Sequence, residues 1–219
     1  MPVEPPKTVS LTMSKDITIQ TQPTDSGKAI LDAIKGAQTS VHMTIYLLTD
    51  TKIIGALGDL KAAGKDVKVV LNRKFPTNGG DNTDAFDALT ARGVDVVWAP
   101  DAFQYTHAKT IVIDAKKAII MTINLTVSSP KTNREYIATD SDADDVGVLE
   151  KLFAADFAGK SISVTSKLVV SPQGANTNGN PRDYLTALIA SAKKSLDVEV
   201  QSLSDRALVD GIIAAPKAG

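Results

Sequence analysis

Residues 40–71 read SVHMTIYLLTDTKIIGALGDLKAAGKDVKVVL, and the change of period within them decides the fold class. Ser40 to Leu48 reads as a strand, Lys52 to Ala63 repeats its apolar residues as a helix does, and Gly64 stops that helix. Val67 to Leu71, VKVVL, is apolar at every position but Lys68 and has the character of a strand at the centre of a sheet. Strand, helix and strand in this order are the unit of an α/β sheet.

The same alternation extends outward. Upstream, Ile17 to Thr21 reads as a strand, and Ser26 to Ala37 as a helix capped by Asp25 or Ser26. Downstream, RKFPTNGGDN at 73–82 is a loop, Thr83 to Ala91 a helix stopped at Gly93, and Val94 to Trp98 a strand. YTHAKTIVID at 105–114 is a further strand, followed by a turn at Asp114 to Lys117, a strand at Ala118 to Ile123, and an amphipathic helix at Asp144 to Phe157. The expected fold is α/β, a mixed β-sheet flanked by helices on both faces.

With 219 residues, 43% of them apolar, the chain has ample material for a buried core. Its 24 basic and 25 acidic side chains give a formal charge of −1, so no global field draws it to nucleic acid or to an anionic membrane. It has no cysteine, which excludes disulfides, thiolate metal sites and cysteine nucleophiles. No run approaches the ~20 apolar residues of a membrane span, and MPVEPPKTVS has neither the basic nor the apolar region of a leader. A soluble molecule is expected. A secreted or periplasmic location is slightly favoured, with no residue that decides it.

Compared with itself, the chain shows a second pattern. Residues 29–64 align without a gap, at an offset of 155, on residues 184–219, YLTALIASAKKSLDVEVQSLSDRALVDGIIAAPKAG. Helix, Ala-x-x-Ser turn at Ala37/Ser40 and Ala192/Ser195, strand, Asp50/Asp205 and the final Ala-Gly coincide. The expected organisation is a lead-in at 1–15, a half-domain at 16–160, and the beginning of a second, truncated copy at 161–219.

Within YTHAKTIVID, a strand would place His107 and Lys109 on one face. An imidazole beside an ammonium suits phosphate chemistry: the lysine offers donors and charge to phosphoryl oxygens, and the imidazole is a nucleophile or general acid near neutral pH. Asp114 ends the strand, where it either fixes the turn or pairs with a cation. By contrast, His42 in SVHMTIYLL reads as a structural or exposed histidine. DSDADDVG at 140–147 lacks the sixth-position glycine and terminal glutamate of a calcium loop, so it reads as acidic charge before a helix.

His107, Lys109 and Asp114 form H-x-K-x4-D, which resembles the signature of the phospholipase D superfamily. MTIN at 121–124 stands where that family has G-S-x-N, so Asn124 matches the family's asparagine and Thr122 keeps a hydroxyl that could bind phosphate. Met121 departs from the family's glycine. Glu135 matches the acidic residue that orients the histidine. The resemblance spans roughly residues 16–160, nearest to bacterial phospholipase D-like or cardiolipin-synthase-like proteins. It implies a phosphodiesterase working without metal or other cofactor, in which two H-x-K motifs face each other. One histidine forms a phosphohistidine, and the other protonates the leaving alcohol. On this resemblance the catalytic set is His107, Lys109, Asp114, Asn124 and Glu135, with His107 as nucleophile; Lys109, Asn124 and Thr122 bind the phosphate. The lack of basic excess favours phospholipid over nucleic acid as substrate. The chain carries one motif, so half of the site is expected from a homodimer or from a missing second lobe. The rivals are a homodimeric single-motif endonuclease and an inactive half-protein that only binds phosphate or a partner.

Overall fold

The computed structural model describes residues 9, 11, 16–77, 79–172 and 179–215. Apart from Val9 and Leu11, the expected lead-in lies outside the described residues, as does the Ala-Gly that ends the offset copy. Contacts divide the chain into two compact units, one of them Lys15–Ile162.

That unit is a seven-stranded sheet. Its strands are β1 (Ile17–Gln22), β2 (Ser40–Ile45), β3 (Asp66–Leu71), β4 (Asp95–Trp98), β5 (Lys109–Ile113), β6 (Lys117–Met121) and β7 (Glu135–Asp140). They lie in the order β1-β7-β6-β5-β2-β3-β4. β2, β3 and β4 run parallel, and β5, β6, β7 and β1 alternate antiparallel, so the sheet is mixed. The helices are α1 (Lys28–Lys35), α2 (Thr51–Ala62), α3 (Thr83–Ala91), the short α4 (Ser129–Thr132) and α5 (Ala143–Phe157).

Helices cover both faces because the strands alternate what they present to each. Val41, Met43 and Ile45 of β2 and Ile111 and Ile113 of β5 join Ile34 and Leu57 of α1 and α2 in the main core. On the other face, Val112 and Ala118 pack against Val146 of α5. Val67, Val69, Val70 and Leu71 of β3 are all fully buried, with Lys68 the one charged residue among them.

Three strands are shorter than expected, and β5 begins at Lys109, four residues after the expected start at Tyr105. β2 stops at Ile45 because the backbone groups beyond it are taken elsewhere: Asn82 binds the Tyr46 carbonyl and the Leu48 N–H, and Leu125 donates to Leu47. β6 stops at Met121, two residues early. A further strand, β7, was not expected at all. Its sequence, EYIATD, buries only Ile137 and Asp140, too few to stand out from a loop.

His42 fastens β2 to α5. Its Nδ1 lies 2.7 Å from Glu150 Oε2, its Nε2 lies 3.2 Å from Asp66 Oδ2, and its ring stacks on Phe153 at 4.8 Å. Lys68 also binds Asp66, at 2.8 Å. Burial opposes protonation of the ring, but the Glu150 and Asp66 carboxylates outweigh it and hold the pKa above the ordinary histidine value. A raised folded-state pKa gives stability that is complete below the unfolded value of ~6.5 and is lost as pH rises through the folded value. His42→Gln should therefore cost about 2 kcal/mol on the acid side and flatten the loss seen in the wild type. Chemical denaturation across neutral pH checks this; an unchanged slope would refute it.

In the second unit, α6 (Pro181–Ser191) and α7 (Arg206–Ala214) flank a stretch in which no β-strand forms among the described residues. Asp205 accepts from the Ala207 and Leu208 N–H groups at the start of α7, just as Asp50 accepts from Lys52 at the start of α2. The strand expected between the helices is absent. β2 is held by β3 and β5, and no strand is assigned to the offset segment among the described residues. Val198 and Val200, at the offset positions of Met43 and Ile45, are accordingly 47% and 56% exposed.

Candidate active site

The alternating strand directions gather the C-terminal ends of β1, β2 and β6 and the N-terminal ends of β5 and β7 at one edge of the sheet. His107, Lys109, Asn124 and Glu135 all sit there.

Lys109 opens β5 and is only 5% exposed. Its Nζ donates to the His107 carbonyl at 3.0 Å, lies 3.4 Å from each ring nitrogen of His107, and stands 5.1 Å from the centre of the Tyr46 ring. It forms no ion pair among the described residues. Burial pulls its pKa down to about 8, with the charge of Glu135 acting in the opposite sense. His107 lies just before β5 rather than within it. Its ring leans on Tyr46, centroids 4.4 Å apart and tilted by 59°. Burial, and then the neighbouring Lys109 cation, hold its pKa below the ordinary value, so the imidazole is neutral at pH 7 and keeps a lone pair for attack. A neutral imidazole beside a buried ammonium that has no ion-pair partner among the described residues is an arrangement suited to an anion.

Two buried asparagines position this segment. Asn82 donates to the Tyr46 and Asn72 carbonyls, both at 2.8 Å, and accepts from Leu48. Asn72 in turn accepts from the Thr106 N–H at 3.0 Å, next to His107. The sequence reading passed over both. Their signal was a polar residue directly after VKVVL and another at the start of the helix at 83–91.

Other expected site residues are placed differently. The Thr122 hydroxyl donates to Glu135 and accepts from the Tyr136 N–H at 2.9 Å, so it is committed to the protein rather than open to phosphate. Glu135 is held by Thr122 and by Asn133 at 3.3 Å, and it makes no hydrogen bond to His107. The carboxamide oxygen of Asn124 is buried with no partner among the described residues. A half-turn of that amide would present its N–H donors instead. Met121, the departure from glycine, turns into the main core.

Asp114 is not brought to the site. It lies at the far end of β5, about 16 Å from Lys109 at ~3.3 Å per residue. There its carboxylate accepts from the backbone of Gln38, Thr39 and Ser40 and from the Thr39 hydroxyl. Partial burial works against its charge, but these donors prevail and hold its pKa far below the carboxylate range. Asp114→Ala should cost about 2–3 kcal/mol at neutral pH and leave the arrangement of His107 and Lys109 unchanged. The wild type should lose this contribution as pH falls through the depressed pKa. Denaturant titration of both proteins at pH 7 and at low pH checks this; equal stabilities at pH 7 would refute it.

Among the described residues, no group of three or more His, Asp or Glu side chains is placed to hold a metal ion, and no helix is long and apolar enough to cross a membrane.

A mixed sheet whose central strand opens with Lys109, with His107 two residues before it, is the arrangement of a phospholipase D-like domain. The family model described as "Cardiolipin synthase, PLD-like domain" matches residues 30–157, and the chain belongs to the phospholipase D superfamily. A phospholipase D of Rickettsia bellii is 33% identical over 135 residues, which cover 61% of this chain and 65% of that protein. The mitochondrial cardiolipin hydrolase of Danio rerio is 26% identical over 108 residues, covering 49% of this chain and 46% of that protein. The chain thus spans less than two thirds of the length of these curated relatives. Among solved structures, Nuc of Salmonella typhimurium, a phospholipase D family member, superposes with a TM-score of 0.58 at 22% identity, covering 66% of this chain and 96% of that one. A polyphosphate kinase of Porphyromonas gingivalis gives 0.61 at 18% identity, covering 80% of this chain and 30% of that one. Both structural likenesses are of fold.

Proposed function

We propose that the chain is a phosphodiesterase that works through a phosphohistidine on His107, with phospholipid favoured as substrate. The observation that carries this reading is Lys109, a buried ammonium without a carboxylate partner, against a neutral imidazole. The His107 lone pair attacks phosphorus, a P–N bond forms, and the P–O bond to the alcohol breaks. Lys109 and Asn124 hold the nonbridging oxygens and offset the charge that grows on them. Water or an acceptor alcohol then displaces the imidazole.

The departing alkoxide needs a proton. The chain's one other histidine, His42, has both ring nitrogens engaged by Glu150 and Asp66 on the α5 side of the sheet. We assign this proton to the His107 of a second copy, or to a second lobe carrying its own H-x-K. Phospholipid is preferred because the net charge is −1 and supplies no basic field for nucleic acid. Incubation with a soluble bis-nitrophenyl phosphodiester should release nitrophenolate and leave an acid-labile, alkali-stable phosphoryl label on the protein. If the protein binds the diester yet gives neither, the reading fails.

A further inference from the structure

A groove of about 390 Å³ lies beside the site, between the N-terminal ends of α1 and α2 and the 125–131 segment. The N-terminal ends of α1 and α2 follow the C-terminal ends of β1 and β2, so the groove lies at the site's edge of the sheet, and Leu125, which lines it, follows Asn124 in the chain. Its surface is apolar where Leu31, Ile53, Val127 and Pro130 meet. Gly27, at φ +80°, lets α1 come close to this surface, since a Cβ there would stand 2.9 Å from the Pro130 Cβ. Val127 is 53% exposed, an uncovered apolar side chain at the edge of a candidate active site.

Charge is distributed around it in a particular way. Asp25 is spent on Gln22, Gly27 and Ala29, and Asp50 on the Lys52 N–H. Lys28 is paired with Asp32. Lys52 and Lys131 line the groove without a carboxylate partner among the described residues. The lining includes no aromatic side chain, the platform on which unpaired bases stack.

We infer that this groove receives the apolar part of an amphiphilic phosphodiester while Lys52 and Lys131 meet the anionic surface from which it is drawn. Apolar burial supplies the attraction for the hydrocarbon, and each lysine adds an electrostatic attraction to an anionic leaflet. The inference rests on the phosphodiesterase reading, since it places the scissile group at His107 and Lys109.

The test separates docking from chemistry. The His107→Ala chain, which cannot turn substrate over, is sedimented with vesicles of phosphatidylcholine, with and without phosphatidylglycerol. Phosphatidylglycerol should increase binding. Adding Val127→Asp should weaken that binding about tenfold, and Lys52→Glu with Lys131→Glu should weaken it at least ~25-fold at low salt. With His107 intact, the far-ultraviolet circular dichroism of the Val127→Asp chain should match that of the unaltered chain. Because Val127 is exposed, this substitution spares the core. Vesicle binding that neither set of changes affects overturns the inference. So does loss of single-stranded oligonucleotide binding with vesicle binding intact, which would make the groove a nucleic-acid track. If the chain with His107 intact leaves the soluble diester untouched while the vesicle pattern holds, the hydrolytic reading fails and the docking site stands.

Discussion

His107→Ala should lower diester hydrolysis by about 10⁴-fold and abolish the alkali-stable label. Removing a nucleophile costs the whole covalent route, and what survives is the background that binding and electrostatics still give. The substitution should leave stability within about 0.5 kcal/mol, because His107 is an exposed residue whose side chain meets Tyr46 and Lys109 but anchors no core packing. The loss therefore measures chemistry rather than folding. His42→Gln is the matched control: it changes stability and its pH dependence, and it should leave turnover of the folded protein intact. Label that persists on His107→Ala would move the nucleophile elsewhere.

Lys109→Met should do two opposite things. It should reduce turnover by at least ~10³-fold, the usual cost of deleting a preorganised group that faces developing charge. It should also stabilise the protein, by on the order of 3 kcal/mol at pH 7, because the displacement of the lysine pKa from 10.5 to about 8 measures how unwelcome the charge is in the folded state. Methionine fills similar volume without that charge. Since the folded-state pKa is depressed, the penalty is complete below pH 8 and disappears as pH rises toward the unfolded value. Measured relative to Lys109→Met, which shares the His42 contribution, wild-type stability should consequently climb across that interval. Thermal unfolding from pH 6 to 10 beside a hydrolysis assay checks both. A destabilised Lys109→Met would show that the ammonium holds the site together rather than straining it.

Parts of this structure were legible in the chain because periodicity reports burial. The strand at β3, the helix from Thr83 to Ala91 and its stop at Gly93 follow from runs whose every residue obeys one period. β7 was missed because half its positions are polar, and the strand expected near Val198 failed because an apolar alternation specifies a face but not the neighbours that make it a strand. The same division applies at the site. H-x-K places an imidazole and an ammonium together through simple spacing. The partners of Glu135 and Thr122, and the Asn72–Asn82 pair, depend on which loops meet across the sheet, and a linear motif carries no record of that.

The motif's last residue sets a length. Lys109 stands at one rim of the sheet and Asp114 is tied at the other by the backbone of Gln38, Thr39 and Ser40, so the four residues between them are the height of the sheet. Adding or removing one would turn either the ammonium or the carboxylate to the opposite face. The interval in H-x-K-x4-D is thus a ruler: it measures one crossing of the central strand, with reactivity fixed at its start and anchorage at its end.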